Sequence, residues 1–178
     1  MIEILDNPDV LALPQLDLTT VTMNGVPLGA PATDVPRGTI VEASSSIVAR
    51  YSGGTDIDSA YHDADGRRLT LDEVVDHTAR SDGFLYCADK LTYKVRAGAV
   101  VGFAIYGPHL SHFAHLTSYE EFLAAFGSPS RVDENVSYGD LMSYDNYYWG
   151  ARKLVKWDAW DHRVSLINFG VFEGNSGP

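Results

Sequence analysis

Ser118-Tyr-Glu-Glu-Phe-Leu-Ala-Ala-Phe-Gly-Ser-Pro129 predicts a short helix with both ends marked. Ser118 and Glu121 have the capping-box spacing, in which a hydroxyl and a carboxylate three residues apart bind each other's backbone amides. Gly127 is expected as the left-handed residue after the helix, and the proline that follows prevents its continuation. We therefore expect a helix from Tyr119 to Phe126. Its buried residues should be Phe122, Leu123 and Phe126.

The same spacing occurs earlier, at Thr70-Leu-Asp-Glu73, and predicts a helix from Leu71 to Arg80 with Gly83 beyond its end. After each predicted helix, apolar and polar residues alternate with period two, which is typical of antiparallel strands. The order helix, meander, helix, meander predicts an α+β fold in which an antiparallel meander sheet carries two short helices. It leaves open a duplicated helix-meander unit.

Turn dipeptides separate the predicted strands. Asn24-Gly25 is typical of a hairpin, and Ala97-Gly98 separates a strand at Leu91 to Arg96 from one at Ala99 to Tyr106. Further turns are expected at Gly150-Ala151 and from Asp158 to His162. The remaining predicted strands are Thr39 to Tyr51, Thr55 to His62, Leu141 to Trp149, Lys153 to Trp157 and Arg163 to Phe169.

The length of 178 residues is typical of a single domain, 1–178. A duplication would give repeat units at about 20–107 and 108–170. Residues 1–18 contain two prolines and show no clean period, so we expect an extended N-terminal arm. Residues 171–178 are expected to form a flexible tail.

Negative charge is concentrated at the start of the chain. The first 66 residues carry ten carboxylates and two cations, whereas the whole chain carries 24 carboxylates and 13 cations and has a net charge of −11. Such a field repels nucleic acid and anionic lipid and attracts a basic protein. The alternative is an acidic surface that only maintains solubility.

Cys87 is the only cysteine in the sequence, so no intramolecular disulfide can form, and a cytoplasmic location is expected. It lies in Phe84-Leu-Tyr-Cys87-Ala, where a thiol is typical of a small buried hydrophobe and not of a nucleophile. The sequence has no run of 18 apolar residues and no glycine-rich phosphate loop. We therefore expect no membrane span and no cofactor.

Histidines suggest catalytic or metal chemistry at three places. His109, His112 and His115 could ligate zinc, but on a helix they spread over about 120°, and on a strand the middle one faces away. We expect a loop before the second helix there, and no metal. Tyr61-His62-Asp63 and Asp161-His162 pair an imidazole with a carboxylate, but adjacent strand residues point to opposite faces. Neither pair is a ready-made catalytic dyad.

Seven large aromatic residues fall between Tyr138 and Trp160. Strand alternation sends Tyr147 and Trp149 to one face of the sheet and Tyr144 and Tyr148 to the other. Because helices that cover one face leave the other open, one set is expected to meet solvent or a partner. The alternatives are a thick aromatic core and a platform for sugars or flat small molecules.

Basic residues are grouped near the last turn. We expect them to form exposed cross-strand ion pairs with Asp158 and Asp161, each worth little stability. They are too few to bind nucleic acid. These residues are Arg152, Lys153, Lys156 and Arg163.

Leu116 to Pro129, the tyrosine-rich meander, Val155-Lys-Trp-Asp158 and Arg163-Val-Ser-Leu-Ile167 resemble small bacterial proteins with helix-then-meander units. These include immunity proteins of polymorphic toxin systems and the tandem-repeat β-lactamase-inhibitor fold. Exported inhibitors of that fold carry disulfides, whereas this chain has one cysteine, so the resemblance implies a cytoplasmic antitoxin. It implies no particular functional residue.

These observations predict a non-enzymatic binding protein, a cytoplasmic immunity protein that neutralises a basic toxin domain, as a monomer or homodimer. The negative field would speed association, and aromatic anchors would slow release. The predicted charged rim is Asp56, Asp58, Asp63 and Asp65. The predicted anchors are Tyr147, Tyr148, Trp149 and Trp160.

Two other functions stay open. A small enzyme or ligand-binding module would use a pocket lined by aromatic residues and histidines. A self-associating protein would pair an open meander edge with its own copy. The polar residues of the pocket would come from His62, His109, His112, His115 and Asp161.

Overall fold

The computed structural model describes residues 1–5, 7–45, 49–51, 60–135 and 144–171. The chain divides into two compact units. Unit 1 comprises Met1–Leu28 and Gly102–Pro178, and unit 2 comprises Gly29–Val101. The bounds of these units differ from those of the predicted repeat units. The repeat and the single domain both stay predictions. The predicted tail lies outside the described residues from 172 onward.

The fold is α+β and is dominated by antiparallel strands, which confirms the predicted class. The α-helices are α1 (Pro8–Ala12), α2 (Leu71–Arg80) and α3 (Tyr119–Phe126). The strands up to α2 are β1 (Ile2–Glu3), β2 (Val21–Met23), β3 (Val26–Pro27), β4 (Ile40–Ser45), β5 (Ala49–Tyr51), β6 (Ala60–His62) and β7 (Arg68–Leu69). Those after it are β8 (Gly83–Cys87), β9 (Leu91–Arg96), β10 (Ala99–Tyr106), β11 (Arg131–Asn135), β12 (Tyr144–Trp149), β13 (Lys153–Asp158) and β14 (Arg163–Gly170).

Unit 1 is built on an antiparallel meander. Its strand order is β11-β12-β13-β14, and β14 then pairs with the part of β10 that follows Val101. Helix α3 buries Phe122 and Phe126 completely, while Leu123 is half-buried. A smaller sheet joins β1, β2 and β3.

Unit 2 has its own antiparallel strands and a helix. Strands β4, β8 and β9 are neighbours in that order, and α2 buries Val74, Val75 and Thr78. The predicted hairpin between 39 and 62 is present as β5 paired with β6, with Ala49 opposite His62. Part of its predicted first strand is the separate β4, which pairs with β8 instead. Strands β8 and β11 were not among the sequence predictions.

Both predicted helices have the expected bounds. At α3 the capping box is complete, since the Ser118 hydroxyl accepts the Glu121 amide and the Glu121 carboxylate accepts the Ser118 amide. At α2 the Thr70 hydroxyl accepts the Glu73 amide, but the Glu73 carboxylate binds Arg67. Local capping chemistry therefore sets the start of each helix.

The predicted extended arm at 1–18 is wrong for the part that the structure describes. Residues Pro8–Ala12 form α1, and Ile2–Glu3 pairs in parallel with β2. Ile4 and Leu11 are fully buried. A proline at the first position of a helix is compatible with helical backbone, so Pro8 starts α1 where the sequence pattern suggested an irregular arm.

Gly127 ends α3 in a backbone conformation different from the left-handed one predicted. Its φ is 82° and its ψ is −178°, a region that only glycine populates readily. A Cβ added there would lie 2.9 Å from Cγ of Pro14. The glycine therefore permits both the end of α3 and the close approach of the segment that follows α1.

Replacing Gly127 by alanine should lower the free energy of unfolding by about 1–3 kcal/mol, because it adds backbone strain and a clash with Pro14. Chemical denaturation measures the change. Gly38→Ala is the control, since a Cβ at Gly38 would meet no atom within 4 Å. Equal stability of the two variants would contradict the role given to Gly127.

Candidate functional site

The meander of unit 1 carries opposite charges at its two ends. Strand register places Glu134 opposite Asp145, and Asp145 opposite Trp157. These residues lie at one end of the meander. We call that end, together with the turn that follows β13, the acidic end. Its polar and aromatic residues are Glu134, Asp145, Asp158, Trp160 and Asp161. At the other end lie Arg131, Arg152 and Lys153.

Glu134 and Asp145 form a like-charge pair across two neighbouring strands. Glu134 is exposed and Asp145 is half-buried. Burial raises the pKa of the Asp145 carboxyl, and the charge of Glu134 raises it further. Like charges directly opposite each other destabilise a strand pair. A cation bound between them would offset that repulsion.

Asp158 fixes the turn between β13 and β14. Its side chain is buried, and its Oδ1 accepts hydrogen bonds from the backbone amides of Trp160 and Asp161, both at 3.0 Å. Arg163 pairs with Asp161, with Nη2 3.3 Å from Oδ2, and its Nε lies 3.8 Å from Oδ2 of Asp158. The buried carboxylate and the arginine therefore both stabilise the turn.

Trp160 projects from this turn and is 63% exposed. A cleft of about 250 Å³ lies at the start of β14, between Arg163–Ser165 and the 3₁₀ segment Gly107–Phe113. An exposed indole on a turn that also carries the carboxylates Asp158 and Asp161 is typical of a surface that docks a partner.

The other three predicted anchors are not available at the surface. Tyr147 and Trp149 contact Phe122 of α3, with ring centroids 4.9 and 6.2 Å away, and Trp157 stacks on Phe122 at 5.0 Å. Tyr147 and Trp149 are at most 6% exposed. One of the two aromatic sets is expected to meet solvent. Tyr147 and Trp149 do not, because α3 covers them.

Tyr148 lies on the opposite face, as predicted, and is also buried. It packs against Leu154 and Leu166. The Arg131 guanidinium lies over its ring, 3.9 Å from the centroid. Side chains of neighbouring strands thus bury the Tyr148 ring, so Tyr148 cannot act as an anchor unless the core opens.

The predicted acidic rim is only partly described. Asp56 and Asp58 lie outside the described residues, whereas Asp63 and Asp65 belong to unit 2. Oδ1 of Asp63 accepts the amides of Arg67 and Asp65, and Oδ2 accepts the Arg67 guanidinium. The hydrogen bond from the Arg67 backbone amide is the main cause of the lowered pKa of Asp63. Asp63 therefore shapes its own loop, while Asp65 is exposed.

The histidine segment forms a 3₁₀ turn, Gly107–Phe113, before α3. His109 is half-buried, whereas His112 and His115 are exposed, and Nδ1 of His115 lies 2.9 Å from the His112 carbonyl oxygen. Within the described ranges, no group of three or more His, Cys, Asp or Glu side chains is placed to hold a metal. Cys87 is buried, and burial raises the pKa of its thiol.

Lys153 differs from the exposed ion-pair residue that the sequence predicts. It is 4% exposed, and its Nζ donates to the carbonyls of Leu11 and Leu13, both at 2.6 Å. The rings of Phe126, Trp149 and Phe169 lie with their centroids 5.1 to 5.7 Å from Nζ. Burial lowers the pKa of Lys153 to about 7. The same carbonyls and rings favour the charged amine.

A second and larger cleft, of about 430 Å³, opens beside Lys153. We call it the basic cleft. Its walls come from the segment after α1, the segment after α3, the turn from Trp149 to Lys153, and Phe169. Among the described residues that line this cleft and the smaller one there is no histidine, and the pocket predicted for an enzyme or ligand-binding module stays a prediction.

One sequence signal could have revealed the burial of Lys153. Lys153 has the same strand parity as Val155 and Trp157, which face the core. The grouping of basic residues obscured this pattern. Its carbonyl partners are about 140 residues away in sequence, and no local pattern could have identified them.

No protein-family model, curated protein or solved structure matches this chain. The resemblance to immunity proteins therefore stays a prediction. None of the helices in the described part of the chain is long and apolar enough to cross a membrane. The acidic end and the basic cleft are the two candidate binding surfaces of unit 1.

The buried Lys153 predicts a pH-dependent stability. Its folded pKa of about 7 lies below the usual value of about 10.4, so between these pH values the unfolded state binds a proton that the folded state lacks. The free energy of unfolding should therefore rise with pH, by up to about 1.4 kcal/mol per pH unit. Lys153→Met should remove this rise. Denaturation at pH 7, 8 and 9 measures it.

Lys156→Met is the matched control, since Lys156 lies on the same strand and is only half-buried. It should keep the pH dependence of the wild-type protein. A stability difference between wild type and Lys153→Met that is the same at every pH would show that Lys153 keeps its usual pKa.

Proposed function

We propose that this protein binds and neutralises a basic protein partner, which docks at the acidic end of unit 1. The observation that carries the proposal is Trp160, an exposed indole on a turn that Asp158 fixes. The resemblance of the sequence to immunity proteins makes a toxin domain in the cytoplasm the partner we propose.

Charge supports a basic partner. Unit 1 contains thirteen carboxylates and five cations, so most of the net charge of −11 belongs to it. Of the five cations, Arg163 lies at the acidic end, where Asp161 and Asp158 face it, and Lys156 lies two residues before Asp158 on β13. A field of this sign raises the association rate of a cationic protein and discriminates against acidic ones.

The exposed Trp160 side chain supports slow dissociation of the partner. Tryptophan is enriched among residues whose truncation costs 2 kcal/mol or more of binding free energy. A residue held in its bound conformation before association loses little entropy on binding. The two amide hydrogen bonds to Asp158 hold the backbone of Trp160 and Asp161 in this way, so that on binding only the side-chain torsions of Trp160 remain to be ordered.

The Glu134 and Asp145 pair supports recognition of a cationic side chain of the partner. Their repulsion is present in the free protein and would be relieved by a lysine or arginine of the partner. Such a contact adds affinity for a basic partner without stabilising the free protein. It also makes binding sensitive to ionic strength.

The test is co-expression with the product of the adjacent gene, followed by size-exclusion chromatography and measurement of rate constants. Trp160→Ala should raise the dissociation constant at least about 30-fold, mainly through faster dissociation. Asp161→Asn should slow association and weaken its dependence on salt. Val132→Ala is the control, since Val132 is exposed but lies on β11, away from the turn.

Absence of a stable complex with a basic neighbour would contradict the proposal. A complex that tolerates Trp160→Ala as well as it tolerates Val132→Ala would place the interface elsewhere. Both variants are expected to fold like the wild-type protein, because each truncates an exposed side chain.

A further inference from the structure

We propose that the basic cleft of unit 1 binds a small organic anion, a carboxylate on an apolar or aromatic body. This inference does not depend on the proposed docking of a protein at the acidic end. It rests on the shape, the charge and the hydrogen-bond donors of the cleft.

The size of the cleft suits a small molecule. Its volume of about 430 Å³ lies within the range of about 300–1,000 Å³ of ligand pockets. Apolar walls make up much of it. The apolar and aromatic wall residues are Pro14, Leu16, Leu18, Pro129, Trp149 and Phe169.

The charge of the cleft is opposite to that of its unit. Among the described residues that line it, the ionisable side chains are Arg152, which is always cationic, and Lys153, which is cationic when protonated, although carboxylates outnumber cations in unit 1. Asp17 lies between two wall residues, but its carboxylate accepts from the amide and hydroxyl of Thr19. Arg152 forms no ion pair with any described residue.

Two wall residues retain hydrogen-bond donors. Lys153 has three N–H donors when charged, and the carbonyls of Leu11 and Leu13 accept two of them. Trp149 is 6% exposed, and its indole N–H has no partner among the described residues. The indole N–H is always a donor, and a charged Lys153 has no acceptor atom. A ligand that satisfies both groups must therefore supply hydrogen-bond acceptors. A carboxylate has two acceptor oxygens.

The apolar walls distinguish this ligand from an inorganic anion. Phosphate and sulfate would leave the surfaces of Pro14, Leu16 and Pro129 facing water, whereas an aromatic or aliphatic carboxylate covers them. The favoured class is therefore an amphipathic monocarboxylate.

Titration of the full chain with phenylacetate, indole-3-acetate and inorganic phosphate tests the proposal, with phenylacetamide and indole-3-acetamide as uncharged counterparts. Binding is followed by calorimetry and by the indole N–H signals in NMR spectra. At least one carboxylate should saturate the protein below about 10 mM. Its amide should bind at least tenfold more weakly, and phosphate should bind more weakly than the carboxylate.

Arg152→Gln should weaken carboxylate binding at least fivefold, because it removes the exposed cation of the cleft. Trp149→Phe keeps the ring, removes the N–H donor and should also weaken binding. Lys156→Gln is the matched control, a cation of β13 outside the cleft walls, and should bind as the wild type does. Melting temperatures show that each variant is folded.

Three results would overturn the inference. The first is no saturation by either carboxylate up to about 10 mM. The second is equal binding of acids and amides, which would show that charge is not recognised. The third is binding that Arg152→Gln and Trp149→Phe leave unchanged, which would place the ligand elsewhere. None of these results bears on the Trp160 interface, which has its own variants.

Discussion

Phe122 of α3 lies against the rings of Tyr147, Trp149 and Trp157, and this aromatic contact determines the organisation of unit 1. It fixes the helix across one face of the meander and closes that face to solvent. Three large rings around that of Phe122 bury a large apolar area and add favourable edge and stacking geometry. With that face closed, the described part of unit 1 offers for binding the two ends of the sheet, the turns that extend beyond it and the half-buried residues of the opposite face.

Trp160 shows how this constraint separates core from surface. It lies three residues beyond Trp157 and is the same kind of side chain, yet it is exposed because β13 has already ended. Asp158 replaces the lost strand hydrogen bonds by accepting two amides of the turn. A buried carboxylate thus supports an exposed indole, an arrangement that contributes little apolar burial to the fold.

The two ends of the meander differ in charge, and strand length keeps them apart. Strand β12 has six residues, which corresponds to a length of about 17 Å, roughly twice the screening length at physiological salt. The acidic end and the basic cleft therefore act as separate electrostatic environments. A macromolecular cation at one end and a small anion at the other are physically compatible in the same unit.

The sequence by itself determined the class of fold, both longer helices and the two-residue turns. These features depend on neighbours within a few residues: Ser118 and Glu121 cap α3, and positive φ at Asn24-Gly25 and Ala97-Gly98 closes two hairpins. Only the tertiary structure decided which aromatic residues are buried, where the carboxylates gather and how Lys153 is satisfied. The physical reason is that burial and pairing join residues far apart in sequence, as the bonds from Lys153 to Leu11 and Leu13 do. Local pattern predicts on which face of a strand a side chain lies, but it does not show what covers that face.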